Sequence, residues 1–288
     1  MRRFDYYRAS SVDEAISLLG EHGEGGMLLS GGTDVLVQIK EAGLNPVYVV
    51  SLNGIEELRE LSGSGDGLHI GARVLMHEVA ANDDVVQRYS ALADGAGVVG
   101  SRQTRNLATI GGNIVNAAPS ADTSPPMVVL GGVAHVAGSG GTREVAVENL
   151  WTGPRQTVLE HTEVVTHFTV PAPPSNAGSY YERHTPRQIM DIAAVGTGVY
   201  VELDGDGICT TARIALGAVA PTVMRAPQAE AALVGKAIDA ESAAAAGTAA
   251  SAEAKPISDQ RGSDEFRRHL VEVMTTRSIL AATERAQG

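Results

Sequence analysis

The chain has 288 residues, which is enough for roughly two domains, and its composition is that of an ordinary globular protein, with 43% hydrophobic and 19% charged residues. Its net charge of −12, with Lys and Arg scattered along the sequence, argues against nucleic acid or an anionic membrane surface as a partner. The single cysteine, Cys209, excludes internal disulfides and any metal site built from several thiolates.

The sequence contains no segment that predicts membrane insertion or export. The opening residues, MRRFDYYRAS, lack the apolar stretch of a signal peptide, and the longest apolar runs fall short of the roughly 20 residues needed to cross a bilayer. We therefore expect a cytoplasmic protein with no membrane span. The eight histidines show no close pairing such as HExxH, so no metal site is predicted on this chain.

Residues 1–55 have the pattern of a βαβ unit. The segment SVDEAISLL places Ser11 and Glu14 at the spacing of a capping box and predicts a helix. The segment GGMLLSGGTDVLVQI predicts a short strand over residues 27–29, a glycine turn and a short helix, and PVYVVSL predicts a buried strand. We take these residues as the first of three domains.

Residues 56–175 alternate short strands with helices and form the second predicted domain. They include one predicted helix over DDVVQRYSALADGA, residues 83–96. Prolines at 171, 173 and 174 interrupt periodic structure and mark the predicted boundary.

Residues 176–288 form the predicted C-terminal domain. Two β-branched segments joined by Asp-Gly-Asp-Gly predict a hairpin. Two helical segments follow, and in the last one Phe266, Leu270, Val273 and Leu280 recur at helical spacing, which predicts the buried face of that helix.

Two loops share one pattern: apolar residues, then Gly-Gly, then a small polar residue. We call LLSGGTDVL, residues 28–36, the first loop and TIGGNIVNAAPSAD, residues 109–122, the second loop. Consecutive N–H groups beside glycine form a site suited to phosphate. A Gly-Gly pair taken alone is more often only a tight turn, and neither loop has Walker or GxGxxG spacing. The residues alone therefore indicate a nucleotide site without naming the nucleotide.

In their order and separation, the two loops resemble the paired FAD-binding motifs of the flavoprotein subunits of molybdenum hydroxylases, the xanthine dehydrogenase and carbon monoxide dehydrogenase medium-subunit family. The segments FDYYRASSVDEAISLL, RQTRNLATIGGNI, WTGPRQTVLEHTEVV and SDQRGSDEFRRHLVEVMTTRSILAA extend this resemblance over nearly the whole chain. The resemblance implies an α+β fold. It would consist of a two-part FAD-binding region of the vanillyl-alcohol-oxidase-like (PCMH-type) fold and a small C-terminal α+β domain with an antiparallel sheet and helices.

The resemblance also implies which residues contact a non-covalently bound FAD. They are Leu28, Leu29, Ser30, Gly31, Gly32, Thr33, Asp34, Thr109, Ile110, Gly111, Gly112, Asn113, Asn116, Ser120, Asp122, Val165 and Arg183. Because a carboxylate beside a diphosphate is repelled, Asp122 is expected to meet a hydroxyl or ring N–H of FAD.

Several of these residues also have ordinary structural explanations. Asp122 has the pattern of a turn-capping residue before Pro125, and Ser120 that of a local cap. Val165 fits a strand in the core. Arg183 stands where many family members have lysine near the flavin, and it would stabilise negative charge on reduced flavin or simply lie on the surface.

The resemblance implies an electron-transfer subunit of a molybdenum hydroxylase complex. The chain would take electrons from a [2Fe-2S] small subunit and pass them to an external acceptor, while a molybdopterin-containing large subunit oxidises the substrate, and no residue of this chain would be catalytic. The alternatives are a self-sufficient flavin-dependent oxidase and an assembly subunit that has lost FAD. We also expect Gly111→Val to leave the fold intact and to weaken FAD binding.

Overall fold

The computed structural model describes residues 3–187 and 189–288. The N-terminal part is a three-stranded parallel sheet in the order β1-β3-β2 with two helices. Its elements are β1 (Asp5–Arg8), α1 (Val12–His22), β2 (Gly26–Leu29), α2 (Val35–Glu41) and β3 (Tyr48–Ser51). The predicted βαβ pattern is confirmed.

The predicted capping box at the start of α1 is present only in part. Ser11 Oγ accepts a hydrogen bond from the Glu14 N–H at 3.1 Å, as expected of an N-cap residue. The Glu14 carboxylate, however, accepts from the backbone N–H of Ser10 at 2.7 Å instead of the N–H of Ser11. The reciprocal bond is therefore displaced by one residue.

The middle of the chain is built on a five-stranded antiparallel sheet in the order β4-β5-β10-β6-β7. Its strands are β4 (Leu61–Ser64), β5 (Gly67–Gly71), β6 (Val133–Gly138), β7 (Gly141–Ala146) and β10 (Val164–Pro171). A separate hairpin is formed by β8 (Trp151–Gly153) and β9 (Gln156–Thr157), and 3₁₀ turns cover Glu56–Arg59 and Val147–Asn149.

Six short helices lie between β5 and β6 in the chain, and all but Arg102–Arg105 contribute buried residues to the largest hydrophobic core, which they share with this sheet. They are α3 (Met76–Ala81), α4 (Asp83–Arg88), α5 (Ser90–Val98), α6 (Arg102–Arg105), α7 (Ile110–Val115) and α8 (Ser124–Val129).

The single helix predicted over residues 83–96 is wrong, because α4 and α5 are separated at Tyr89. Beyond the break, the Ala91 N–H donates to Ser179 Oγ at 3.1 Å, so it is not available to a carbonyl of the preceding turn. The Ser90 hydroxyl donates to the Ser179 carbonyl at 2.8 Å. A long-range contact has replaced the local helical bonds.

The C-terminal part is a four-stranded antiparallel sheet in the order β11-β12-β13-β14, covered by three helices. The strands are β11 (Ala177–His184), β12 (Val195–Leu203), β13 (Cys209–Gly217) and β14 (Met224–Arg225). The helices are α9 (Pro227–Leu233), α10 (Ala240–Glu253) and α11 (Asp264–Gln287), so there is one helix more than predicted. The predicted hairpin is confirmed as β12 and β13.

The predicted buried face of α11 is only partly correct: Leu270 and Leu280 pack partly buried against the C-terminal core. Phe266 is 42% exposed, whereas Met274, Ile279 and Ala282 are buried. A Cβ atom at Gly178 of β11 would run into the Ala282 carbonyl, which shows how closely the helix lies on the strand. Glycine at 178 and alanine at 282 therefore allow this close approach between the strand and the helix.

Within the residues that the structure describes, no helix is both long and apolar enough to span a membrane. The prolines at 171–174 lie at the end of β10 and in the connection to β11. The three-domain division itself stays a prediction.

Candidate functional site

The two glycine-containing loops meet in one cleft. The first loop connects β2 to α2, and the second begins at the N-terminus of α7. The Thr109 hydroxyl donates to Ser30 Oγ at 3.1 Å, so a direct hydrogen bond joins the loops. The cleft has a volume of about 1350 Å³. This exceeds the roughly 300–1,000 Å³ of common small-molecule pockets and leaves room for a dinucleotide.

All the predicted cofactor-contacting residues except Leu29, Ile110, Asp122 and Arg183 line this cleft. Ile110, the second residue of the second loop, is fully buried in the main core. Leu29 is the last residue of β2 and lies opposite Ser51 of β3. The structure therefore brings most of the predicted set together from distant parts of the sequence.

The first loop presents unused backbone donors. Among the described residues, the N–H groups of Gly31, Gly32, Thr33 and Asp34 find no hydrogen-bond acceptor. Gly32 has φ = +74°, a conformation that favours glycine. A Cβ atom at Gly31 would run into the Leu107 carbonyl, so this loop packs directly on the chain that leads into the second loop. Four consecutive free N–H groups in a cleft form the donor set that a phosphate requires.

The glycine N–H groups of the second loop are already engaged. The Gly111 N–H donates to the Ala72 carbonyl at 3.0 Å, and the Gly112 N–H donates to Thr109 Oγ1 at 3.2 Å. The two glycine loops are therefore not equivalent, although their sequence patterns match. The second loop acts as a scaffold and offers side chains to the cleft.

Two asparagines supply these side chains. Asn113 Oδ1 accepts from the Thr123 hydroxyl at 2.6 Å, and Asn116 Oδ1 accepts from Gln38 Nε2 at 3.1 Å. Because their oxygens are used in this way, their amide NH₂ groups remain as donors; within the described residues these have no acceptor.

The expected outcome for Gly111→Val is wrong. A Cβ atom at this position would come within 2.6 Å of the Ala72 carbonyl oxygen and 2.8 Å of the Ala72 Cβ. Glycine is required here because the second loop packs against the backbone that follows β5. A valine side chain would therefore disturb the fold itself.

Asp122 and Arg183 form a buried ion pair outside the cleft wall. Arg183 Nη1 lies 2.5 Å from Asp122 Oδ2, and their side chains are 7% and 8% exposed. The Tyr181 hydroxyl donates to Asp122 Oδ1 at 2.8 Å. Burial raises the pKa of Asp122, and the Arg183 guanidinium opposes this shift. Burial also raises the pKa of Tyr181 well above its ordinary value, and the neighbouring Asp122 adds to the effect.

This geometry differs from the turn cap expected at Asp122 and from the surface position considered for Arg183. Asp122 is not a turn cap, because both carboxylate oxygens bind side chains of β11. Its contact with FAD stays a prediction. Arg183 is not a surface residue. The pair fixes the end of the second loop to the C-terminal sheet.

Val165 lies both in the cleft and in a core strand, and its contact with the flavin stays a prediction. It lines the cleft, it is only 5% exposed, and it belongs to the main hydrophobic core. It stands where the pairing of β10 with β6 changes register, between Val165 and His167. This irregularity redirects the strand at the wall of the cleft.

Sequence reasoning missed Gln38 and Arg155, which also line the cleft. Gln38 follows Asp34 by four residues on α2, so its position on the cleft side was readable from helical spacing. The walls of the cleft desolvate Asp34 and raise its pKa, and the charge of Arg155 opposes this. Among the described residues, no group of three or more His, Cys, Asp or Glu side chains is placed to hold a metal ion.

Two family models match this chain. Residues 2–173 match the family model described as "FAD binding domain in molybdopterin dehydrogenase", and residues 180–282 match "CO dehydrogenase flavoprotein C-terminal domain". The chain belongs to this FAD-binding family.

Relatives of known name cover almost all of this FAD-binding chain. The xanthine dehydrogenase FAD-binding subunit of Escherichia coli O157:H7 is 33% identical over 286 residues, which cover 98% of this chain and 97% of the relative. The carbon monoxide dehydrogenase medium chain of Hydrogenophaga pseudoflava is 33% identical over 285 residues, which cover 98% of each chain.

Solved structures show the same fold. A chain of carbon monoxide dehydrogenase from Hydrogenophaga pseudoflava superimposes with a TM-score of 0.95 at 34% identity, covering 99% of this chain and 98% of that chain. A chain of quinoline 2-oxidoreductase from Pseudomonas putida 86 gives a TM-score of 0.93 at 30% identity, covering 100% and 99%. The α+β architecture and the family implied by the sequence are confirmed, and this protein is an FAD-binding medium subunit of the molybdenum hydroxylase family.

Proposed function

We propose that this subunit receives electrons from a [2Fe-2S] subunit and passes them to an external acceptor, within a complex whose molybdopterin-containing large subunit oxidises the substrate. The observation that carries the proposal is the cleft where the two glycine loops meet, with its row of unused N–H donors on the first loop. Bound FAD would supply the chemistry that accepts electrons and releases them to the acceptor.

The residues of this chain bind and orient the cofactor. The N–H groups of Gly31, Gly32 and Thr33 bind the diphosphate, which cancels part of its charge without a neighbouring lysine. The NH₂ groups of Asn113 and Asn116 donate to acceptors elsewhere on FAD. No nucleophile or proton-transfer residue is needed on this chain.

The apolar wall of the cleft serves a second purpose. Leu28 and Val165 lie in this wall, on strands of two different sheets. Apolar side chains at these positions exclude water from the bound cofactor and strengthen the hydrogen bonds beside it.

The proposed partners are inferred from the names of the relatives. Two relatives are medium chains of carbon monoxide dehydrogenase, a name that implies other chains in the same enzyme. Other relatives are named for glyceraldehyde, nicotinate and nicotine. Because similar chains serve different substrates, we place substrate recognition in the large subunit. A cytoplasmic location and the three domains, 1–55, 56–175 and 176–288, belong to the same proposal.

The test is purification of the tagged chain from its native cells, followed by measurement of molybdenum, iron and FAD per chain. We expect molybdenum and iron to elute with the chain in a fixed ratio, and to be lost when the partner subunits are washed away. Steady oxidation of an organic substrate by the single chain would favour the self-sufficient oxidase instead. A colourless chain that takes up no added FAD would favour the assembly subunit.

A further inference from the structure

Arg155 lies in an unusual backbone conformation at the wall of the cleft. It occupies the turn between β8 and β9 with φ = +59°, directly after Pro154. In turns that begin with proline, a position with positive φ is normally filled by glycine or asparagine. The backbone of an arginine in this conformation is strained, and strained residues are concentrated at functional sites.

The backbone of Arg155 is fixed to the second loop. Its N–H donates to the Ala117 carbonyl at 2.9 Å, and Ala117 itself has φ = +51°. Two residues with positive φ are therefore joined by one hydrogen bond, next to Asn116 in the cleft wall. This bond holds the start of the Arg155 side chain in one place.

The Arg155 guanidinium has no partner of its own. Within residues 3–187 and 189–288 its side chain makes no hydrogen bond or ion pair. The other two arginines of the cleft are paired, Arg187 with Asp191 at 3.4 Å and Arg261 with Asp259 at 2.9 Å. Arg155 is also close enough to the first loop for its charge to act on Asp34.

We propose that Arg155 is a further cofactor-binding residue, whose guanidinium binds the FAD diphosphate together with the free N–H groups of the first loop. The inference rests on the proposed function of the cleft. A guanidinium matches phosphate oxygens with two parallel hydrogen bonds and keeps its charge at any physiological pH. In a chain of net charge −12, an unpaired cation at this point also favours the approach of a dianionic group.

The test is a fluorescence titration of the apoprotein with FAD, at low and at high ionic strength, for the wild type and four variants. Arg155→Met should raise the Kd by about tenfold at low salt, and by less at high salt, because a charge interaction is lost. The Kd of Arg155→Lys for FAD should lie between those of the wild type and Arg155→Met, since lysine keeps the charge but cannot form two parallel hydrogen bonds. Arg261→Met is the matched control and should bind FAD as the wild type does.

Arg155→Gly separates charge from backbone strain. Glycine accepts the positive φ, so the apoprotein should melt at or above the wild-type temperature while its Kd for FAD still rises. Riboflavin has no phosphate, so its Kd should be the same for all the proteins. Wild-type FAD affinity and salt dependence in Arg155→Met would overturn the inference and leave the proposed function standing. Failure of the wild-type apoprotein to bind FAD would overturn both.

Discussion

The carboxylate of Asp122 is held in the interior by two groups from β11, the Tyr181 hydroxyl and the Arg183 guanidinium. Removing one member of a buried pair leaves an uncompensated charge in a desolvated site, which is far more costly than the loss of a surface pair. This ion pair therefore serves chiefly to hold the second loop on the C-terminal sheet.

We predict that Arg183→Met lowers the free energy of unfolding by about 3–5 kcal/mol, because Asp122 stays buried without its cation. Arg59→Met is the matched control. It breaks an Arg–carboxylate pair with Glu78 whose side chains are 39% and 32% exposed, and it should cost less than about 1 kcal/mol. Urea unfolding measures both. If the two variants lose the same free energy of unfolding, the buried Asp122–Arg183 pair stabilises the fold no more than an exposed pair does.

We predict that Gly111→Ala is strongly destabilising, because its Cβ would meet the Ala72 backbone. A Cβ atom at Gly20, in α1, would meet no other atom within 4 Å, so Gly20→Ala should stabilise the protein by about 0.5–1 kcal/mol through helix propensity. Thermal unfolding of the two apoproteins gives the comparison. A Gly111→Ala protein as stable as the wild type would show that the second loop can move away from Ala72.

At the scale of elements, three imidazoles stack on the outer face of the five-stranded sheet. The ring of His167 on β10 lies 4.1 Å from that of His135 on β6 and 4.4 Å from that of His69 on β5. Desolvation and the two neighbouring histidines lower the pKa of His167 to about 4, while Glu60 opposes the shift. His135 also faces Glu144 of β7, 3.6 Å away.

This stack predicts a pH dependence of stability. Because the folded-state pKa lies below the ordinary value of about 6.5, the unfolded chain binds more protons between pH 6.5 and 4, and stability falls as the pH falls through this window. Since His167 is partly exposed, we expect its share to be about 1–2 kcal/mol. Urea unfolding at pH 7 and at pH 4.5 measures this effect. Between these two pH values the free energy of unfolding should fall less for His167→Gln than for the wild type. Identical losses would contradict the prediction.

The elements that the sequence predicted correctly are those specified by neighbouring residues. The β12–β13 hairpin follows from two β-branched segments and the turn between them, and the βαβ pattern of residues 1–55 follows from local periodicity. The break at Tyr89 and the buried face of α11 depend on Ser179 and Gly178, which are distant in sequence. Such long-range contacts leave no periodic signal.

In the candidate site, too, the features set by neighbouring residues were predicted and those set by long-range contacts were not. The first loop was readable because its glycines and polar residues are contiguous, and the resemblance to a family placed the second loop beside it. The partners of Asp122 and the position of Arg155 could not be derived, since both depend on which segments the folded chain brings together. The glycines of the second loop show the limit of a motif, because their N–H groups bind the chain itself.

At the scale of the whole molecule, we predict that the isolated chain oxidises no organic substrate. The relatives that it matches along nearly their whole length are FAD-binding subunits or medium chains. Assay of the purified chain with candidate substrates and an artificial electron acceptor should give no turnover, and addition of the partner subunits should restore it. Turnover by the chain alone would contradict the proposed division of labour.

The measurement that tests the central claim most directly is the stoichiometry and affinity of FAD binding to the purified chain. We predict one FAD per chain, bound without a covalent bond and released into the supernatant by acid precipitation. Binding should depend on the cleft where the two glycine loops meet, so the variants of Arg155 should weaken it and that of Arg261 should not. A folded chain that stays colourless with excess FAD would contradict the central claim, whereas equal FAD affinity in the Arg155 variants would overturn only the role of Arg155.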